Sequence, residues 1–212
     1  MTRMIFVRHG ESEANLRHAF AGWTNAHLTE RGHEQAQKTA EYLKRYHIDV
    51  AYASDLRRAY DTAKHIADAQ GIEVKPEEGL REIFAGDWEN RLFDEIATQD
   101  AEAWQVWRQD IGRAQPAGGE STAALQARVA ETVDRIRRAH EGKTILIGTH
   151  ATPIRVMECL WRGLPLAEAK TINWVPNASV TVIEYEGDTP RIVCIGEYSY
   201  MGDLITGLPR NV

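Results

Sequence analysis

Cysteine is scarce in this chain. Only Cys159 and Cys194 occur among 212 residues, too few for a disulfide framework, so a reducing compartment is expected. Long apolar runs are missing as well. The run Met4 to Val7 is too short for the core of a signal peptide and is followed at once by Arg8. No stretch approaches the length that spans a bilayer. The expectation is a cytoplasmic protein with no membrane partner. Excess positive charge is also absent. Lys and Arg total 25 against 31 Asp and Glu, a net charge of −6, which argues against nucleic acid as a partner. Any positive charge that matters must therefore be local. Nothing reads as a linker, a low-complexity tract or an internal repeat, so residues 1–212 are read as a single domain. Metal and nucleotide signatures are missing too. His33-Glu34 lacks a second histidine at zincin spacing, and the two cysteines are isolated. No Gly-x-x-x-x-Gly-Lys loop occurs. No metal is expected.

What is there alternates between strand and helix. Met4 to Val7 reads as a buried strand. Thr29 caps a helix reaching about His47, with Ala36, Ala40 and Leu43 on one face. Asp49 to Ala53 is a second strand. Ser54 or Asp55 caps the next helix, which Gly71 ends. Ile72 to Val74 is a short strand. A helical segment carries Ile96, Ala97, Trp104 and Trp107, and Pro116-Ala-Gly-Gly119 breaks the pattern. Ser121 caps an amphipathic helix with Leu125, Val129, Val133 and Ile136 in register. Thr144 to Gly148 is a strongly apolar strand, with Thr152 and Pro153 opening another helix. Ser179 to Tyr185 and Arg191 to Ile195 read as a hairpin or adjacent edge strands. The alternation gives an α/β fold with a largely parallel sheet. In such sheets ligands bind beyond the carboxyl ends of the strands.

The polar residues cluster at those ends. Arg8-His9-Gly10-Glu11 follows the first strand, Ser54-Asp-Leu-Arg-Arg58 the second, and His150 the strand 144–148. Glu82 follows the third strand candidate. Phosphoryl transfer spreads negative charge over three oxygens, which arginine forks match. A neutral histidine nitrogen can attack phosphorus and form a covalent intermediate. A carboxylic acid can protonate the leaving oxygen and later activate water. Two arginines, two histidines and a glutamate form a sufficient set, with guanidinium groups in place of a metal. Of the adjacent Arg57 and Arg58, one should face solvent. Trp104 and Trp107 suit a helix's core face. The other six histidines suit the surface or an interface.

The chain resembles the histidine phosphatase superfamily, which includes cofactor-dependent phosphoglycerate mutases. The resemblance rests on Arg8-His9-Gly10-Glu11 with Asn15, Phe20-Ala-Gly-Trp23 and Leu28-Thr-Glu-Arg-Gly32. It continues through Ser54-Asp-Leu-Arg-Arg-Ala59 with Thr62-Ala63, Leu80-Arg-Glu82 with Gly86-Asp-Trp-Glu89, Gly148-Thr-His150 with Ile154-Arg155, and Asn177-Ala-Ser179. It implies a three-layer α/β/α sandwich around a mostly parallel mixed sheet, as in phosphoglycerate mutase. It implies His9 as phosphorylated nucleophile, Arg8 and Arg58 as phosphate clamp with His150, and Glu82 as proton donor and acceptor. Asn15 and the backbone near Gly22 and Ala151 would touch the transferred group or the substrate. Ala151-Thr152 and Ala21 depart from the family's usual residues but leave the charged set intact. Mutases of the family carry a longer insertion before the last block; here that span is compact, and Gly118-Gly-Glu-Ser121 looks like the phosphatase branch. The expected function is a metal-independent phosphomonoesterase acting on a small phosphorylated metabolite, without a resident cofactor. The alternative is a phosphoglycerate mutase primed by 2,3-bisphosphoglycerate; a phospho-ligand-binding module ranks below both. Family members are often dimers, so a homodimer is possible. Substrate discrimination is expected from residues 84–121 and from Tyr198 to Leu208.

Overall fold

A computed structural model describes residues 1–207; the last five residues of the 1–212 span, of which Leu208 is the first, lie outside the described residues. One six-stranded sheet organises the chain. Its strands are β1 (Thr2–Arg8), β2 (Val50–Ala53), β3 (Val74–Pro76), β4 (Thr144–Thr149), β5 (Val180–Glu186) and β6 (Thr189–Glu197), in the order β3-β2-β4-β1-β5-β6. The first four in that order run parallel; β5 is antiparallel to β1, and β6 to β5. The sheet is therefore mixed but mostly parallel. The helices are α1 (Glu13–Leu16), α2 (Glu30–Leu43), α3 (Arg57–Gln70), α4 (Phe93–Gln99), α5 (Ala101–Gln109), α6 (Thr122–Ala139) and α7 (Ala151–Trp161).

Strand β1 shows why the layers form. Residues 4–7 are all apolar and all buried, because both faces of the strand are covered. Ile5 and Val7 pack with Ala40, Leu43, Ala63 and Ile66 from α2 and α3. Met4 and Phe6 pack on the other face with residues of α4 through α7, among them Ile96, Trp107, Val133 and Ile154. The alternating strand thus separates two cores in a three-layer α/β/α sandwich.

Several sequence expectations shift in detail. Thr29 and Ser121 cap α2 and α6 as expected, accepting from Gly32 N and Ala124 N. Helix α2 ends at Leu43 rather than near His47. The third strand lies at 74–76, not 72–74, because Gly71 and two further residues are needed to turn from α3 back to the sheet. Neither Ser54 nor Asp55 caps α3; Leu56 occupies that position without a side-chain bond. Their side chains are committed elsewhere: the Ser54 hydroxyl faces His150, and Asp55 pairs with Arg81. Helix α7 starts at Ala151 with His150 at its cap, so Thr152 is the second residue and Pro153 the third. The proline is accommodated because first-turn N–H groups have no partner within the helix.

Candidate active site

Strands β2, β4 and β1 end level with one another, Ala53 opposite Gly148 and Arg8 opposite Thr149. The ladders run one residue further: Ser54 N donates to Gly148 O at 2.9 Å and His9 N to Thr149 O at 3.0 Å. Residues 9, 54 and 150 therefore leave the sheet side by side. On the opposite flank, Ala178 N and Asn177 Nδ2 both donate to His9 O, each at 3.0 Å. The His9 backbone is thus pinned by the end of β4 on one side and by the segment leading into β5 on the other. Gly10 N donates to Thr62 Oγ1 at 3.0 Å. A Cβ on Gly10 would sit 2.5 Å from Gly32 O, so only glycine lets the start of α2 come this close.

The ring of His9 is oriented by its own loop. Nδ1 lies 2.7 Å from Gly10 O. A carbonyl only accepts, so Nδ1 carries the proton and Nε2 keeps its lone pair. Burial first, then the charges of Arg58 and Arg8, holds the imidazole well below its ordinary pKa of 6.5. It is neutral at neutral pH. The His150 ring stands edge-on to it, with centroids 5.2 Å apart. His150 Nε2 meets Ser54 Oγ at 2.9 Å, and burial lowers its pKa as well.

Two guanidinium groups flank this pair. Arg8 Nη1 donates to Val175 O at 2.6 Å, and Arg58 donates through Nη1 to Thr24 O at 2.8 Å and through Nη2 to Gly22 O at 2.7 Å. Burial lowers both pKa values to about 10, so both stay charged at neutral pH. Arg8 Nε, Arg58 Nε and His150 Nδ1 are buried and have no partner among the described residues. Buried polar nitrogens without partners are uncommon, and here three, two of them arginine donors, belong to the side chains around His9. Among the described residues no three His, Cys, Asp or Glu side chains converge to hold a metal ion.

The carboxyl of Glu82 accepts from Ile83 N at 2.8 Å and from Thr152 N at 3.3 Å. Burial nevertheless raises its pKa above the ordinary 4.5. Its backbone carbonyl is tied down by Trp23 Nε1 at 2.8 Å and Arg128 Nη2 at 3.2 Å. The loop that holds Arg58 is itself fastened by Glu89. That carboxyl accepts from Trp23 N and Thr24 N at 2.8 Å, Thr24 Oγ1 at 2.7 Å and Ala85 N at 2.9 Å. Gly22 has φ +45°, and a Cβ there would collide with the Glu89 carboxyl.

Seven of the eight nominated residues line one cleft: Arg8, His9, Asn15, Gly22, Arg58, Glu82 and Ala151. His150 is fully buried, with its ring beside that of His9. Asn15 Oδ1 accepts from Asn177 Nδ2 at 3.3 Å and from Ser12 N at 3.1 Å, which leaves its amide nitrogen for the cleft. Arg57 is exposed and Arg58 buried, as the sequence required of one of them.

The rest of the cleft is aromatic. Phe20, Phe93, Trp107 and Trp174 line it, and among the described residues it contains no lysine and no arginine besides Arg8 and Arg58. Trp107 is thus both a core and a cleft residue, a double role its helical spacing did not reveal. Of the segments expected to discriminate substrates, 84–121 supplies Phe93 and Trp107. The described part of 198–208 does not reach the cleft. It packs on α2 instead, where Gln35 Nε2 donates to Leu204 O and Arg31 to Asp203 O. Ser54, Thr62 and Trp174 were not foreseen as site residues. Ser54 and Thr62 stood within quoted motifs, whereas Trp174 carries no local signal.

Comparison with known proteins agrees with this geometry. The family model described as histidine phosphatase superfamily (branch 1) matches residues 4–197. Phosphoserine phosphatase 1 of Hydrogenobacter thermophilus is 36% identical over 203 residues, covering 96% of each chain. The adenosylcobalamin/alpha-ribazole phosphatase of Escherichia coli is 32% identical over 167 residues, 79% of this chain and 82% of that one. The solved structure of Bacillus stearothermophilus YhfR superposes with a TM-score of 0.91 at 31% identity, covering 95% of this chain and all of that one. The chain belongs to the histidine phosphatase superfamily, as a phosphatase enzyme.

Proposed function

We propose that the chain, acting as a single domain, is a metal-independent phosphomonoesterase that works through a phosphohistidine on His9. The observation that carries this reading is the neutral His9 with its Nε2 lone pair free, set among buried donors that lack partners. Nε2 attacks phosphorus, and the P–N bond forms as the bond to the alcohol oxygen breaks. Gly10 O keeps the Nδ1 proton in place as charge builds on the ring. Arg8, Arg58 and His150 donate to the three equatorial oxygens. Glu82, whose pKa burial raises, gives a proton from its acid form to the leaving oxygen. The resulting carboxylate then takes a proton from water, whose oxygen attacks phosphorus, breaks the P–N bond and releases phosphate.

Hydrolysis is favoured over the mutase reaction by the cleft's short supply of cations. A mutase must hold a substrate carboxylate and both phosphates of 2,3-bisphosphoglycerate. Among the described residues Arg8 and Arg58 are the only arginines in the lining, and both are occupied by the transferred group. The aromatic wall instead faces the alcohol. The relatives' names point to phosphoserine and alpha-ribazole compounds, so family membership leaves the metabolite open.

The test offers 3-phosphoglycerate with and without 2,3-bisphosphoglycerate, beside a panel of phosphomonoesters in excess chelator. Free phosphate and 2-phosphoglycerate are followed together. Chelator-resistant phosphate release, abolished in His9→Ala, is expected. Isomerisation outrunning phosphate release would make the enzyme a mutase. Ligand binding with no trapped phosphohistidine would make it a binding module.

A further inference from the structure

Beside the cleft lies a second cavity, of about 920 Å³. Trp107 and Trp174, whose rings stack 6.2 Å apart, belong to the walls of both. The second cavity differs from the first in its charge. Arg108, Arg155, Arg162 and Lys170 line it against a single carboxylate, Glu158, which is already engaged by Arg162 Nε at 2.7 Å. So cationic a hollow stands out on a chain of net charge −6.

Arg155 is its centre. The residue is only 8% exposed, and its guanidinium lies 4.3 Å over the Trp174 ring. Nε donates to Ala169 O at 2.9 Å, while neither Nη nitrogen bonds to any described residue. A buried arginine with one side of its fork free is matched by a group with two acceptor oxygens. The next residue after Trp174 is Val175, whose carbonyl holds Arg8. One short segment therefore touches both sites.

We propose that this cavity is a second anion-binding site, in which Arg155 takes a phosphate or carboxylate group of a small molecule. The inference extends the phosphatase reading but rests on different residues. Inorganic phosphate is the probe, titrated into the full chain by calorimetry. Two phosphates per chain are expected. Arg155→Gln weakens one of them about tenfold to a hundredfold, and Arg58→Gln removes the other. Lys170→Gln alters an exposed rim charge where the fold is not at stake, and weakens only the Arg155-dependent phosphate, about two- to fivefold. A single phosphate, lost in Arg58→Gln and indifferent to both other variants, would overturn the second site and leave the phosphatase reading standing. A single phosphate dependent on Arg155 and Lys170 alone would support the second site and remove the cleft's assignment. The source of the anion is read kinetically. If Arg155→Gln raises KM for a phosphomonoester bearing a second anionic group more than KM for phenyl phosphate, the site holds the far end of substrate. If the two KM values move together and a non-competitive part of phosphate inhibition disappears, it holds a free anion.

Discussion

Glu89 makes no hydrogen bond to Arg8, Arg58 or His150, yet activity is expected to depend on it. Its carboxyl fastens Trp23, Thr24 and Ala85 through four hydrogen bonds, and the loop so held presents the carbonyls of Gly22 and Thr24 to Arg58. Glu89→Gln keeps the shape but replaces one acceptor oxygen by a donor. The oxygen that serves Thr24 takes its two bonds with it if the amide turns that way; otherwise the oxygen shared by Trp23 N and Ala85 N is lost. Two backbone-loop contacts then fail, at about 1 to 2 kcal/mol each. A loss of about 2 to 4 kcal/mol lowers the melting temperature of a chain this size by about 10 °C. The catalytic effect should be larger than the stability loss alone conveys, because a misplacement near 1 Å of a clamping group slows reaction about a hundredfold. Steady-state kinetics on phenyl phosphate at 20 °C, well below the melting transition, reads this directly. The expected outcome is a fall in kcat/KM of about thirty- to a hundredfold in a folded variant. If melting drops as expected while kcat/KM stays within about threefold, Arg58 is held without the loop and the coupling drawn here is wrong.

Three further outcomes follow from the same geometry. The pH profile of kcat/KM should be a bell: the acid limb falls as His9 protonates below 6.5, and the alkaline limb falls as Glu82 ionises above 4.5 at its raised pKa. Glu82→Gln should slow turnover about 10²- to 10⁴-fold and erase the alkaline limb; an unaltered bell in that variant assigns the limb to another group. Stability should fall on acidification, since His9 and His150 have folded pKa values below their unfolded ones. Their contribution is complete above about pH 6.5 and declines by about 1.4 kcal/mol per pH unit for each as pH drops toward the folded values. Glu82, shifted upward, acts in the opposite sense and offsets only part of this. Urea unfolding at pH 7.5 and 5.5 measures the difference, and equal stabilities would contradict buried neutral imidazoles. Arg58→Lys should lower kcat about 10²- to 10³-fold, because an ammonium cannot span the two loop carbonyls and the phosphate together; retention of near-full activity would show that charge alone suffices there.

Much of this was legible from residue order, and the reason is local. His9, Arg58 and His150 each lie within a few residues of a strand's end, so a correct reading of apolar runs places them together. The caps Thr29 and Ser121 announce themselves because their hydroxyls act three residues away. Expectations broke where a side chain had a distant partner to choose. Ser54 reads as a helix cap until His150, 96 residues later, takes its hydroxyl. Trp107 reads as a core residue because spacing along one helix says nothing of the cleft on the helix's far end. Trp174 sits in a segment without period, and only the packing of Arg155 on one side and the cleft on the other shows its use. The stretch from Tyr198 was expected at the substrate and is found on α2, because Gln35 and Arg31 offer donors to its carbonyls, a match invisible in the order of residues.

The position of β1 has a consequence for how the chain comes to be folded. The strand carrying His9 at its end lies more than a hundred residues along the chain from both of its hydrogen-bonding neighbours, residues 144–149 and 180–185. Until residues 180–185 have been made, the apolar run 4–7 waits with at least one edge of its strand unpaired. Closing such distant pairings is slow and leaves sticky intermediates. The strand of His9 is therefore made before either of its partners and completed only when β5 docks, and a chain interrupted before residue 180 exposes the very edge on which the placement of His9 depends.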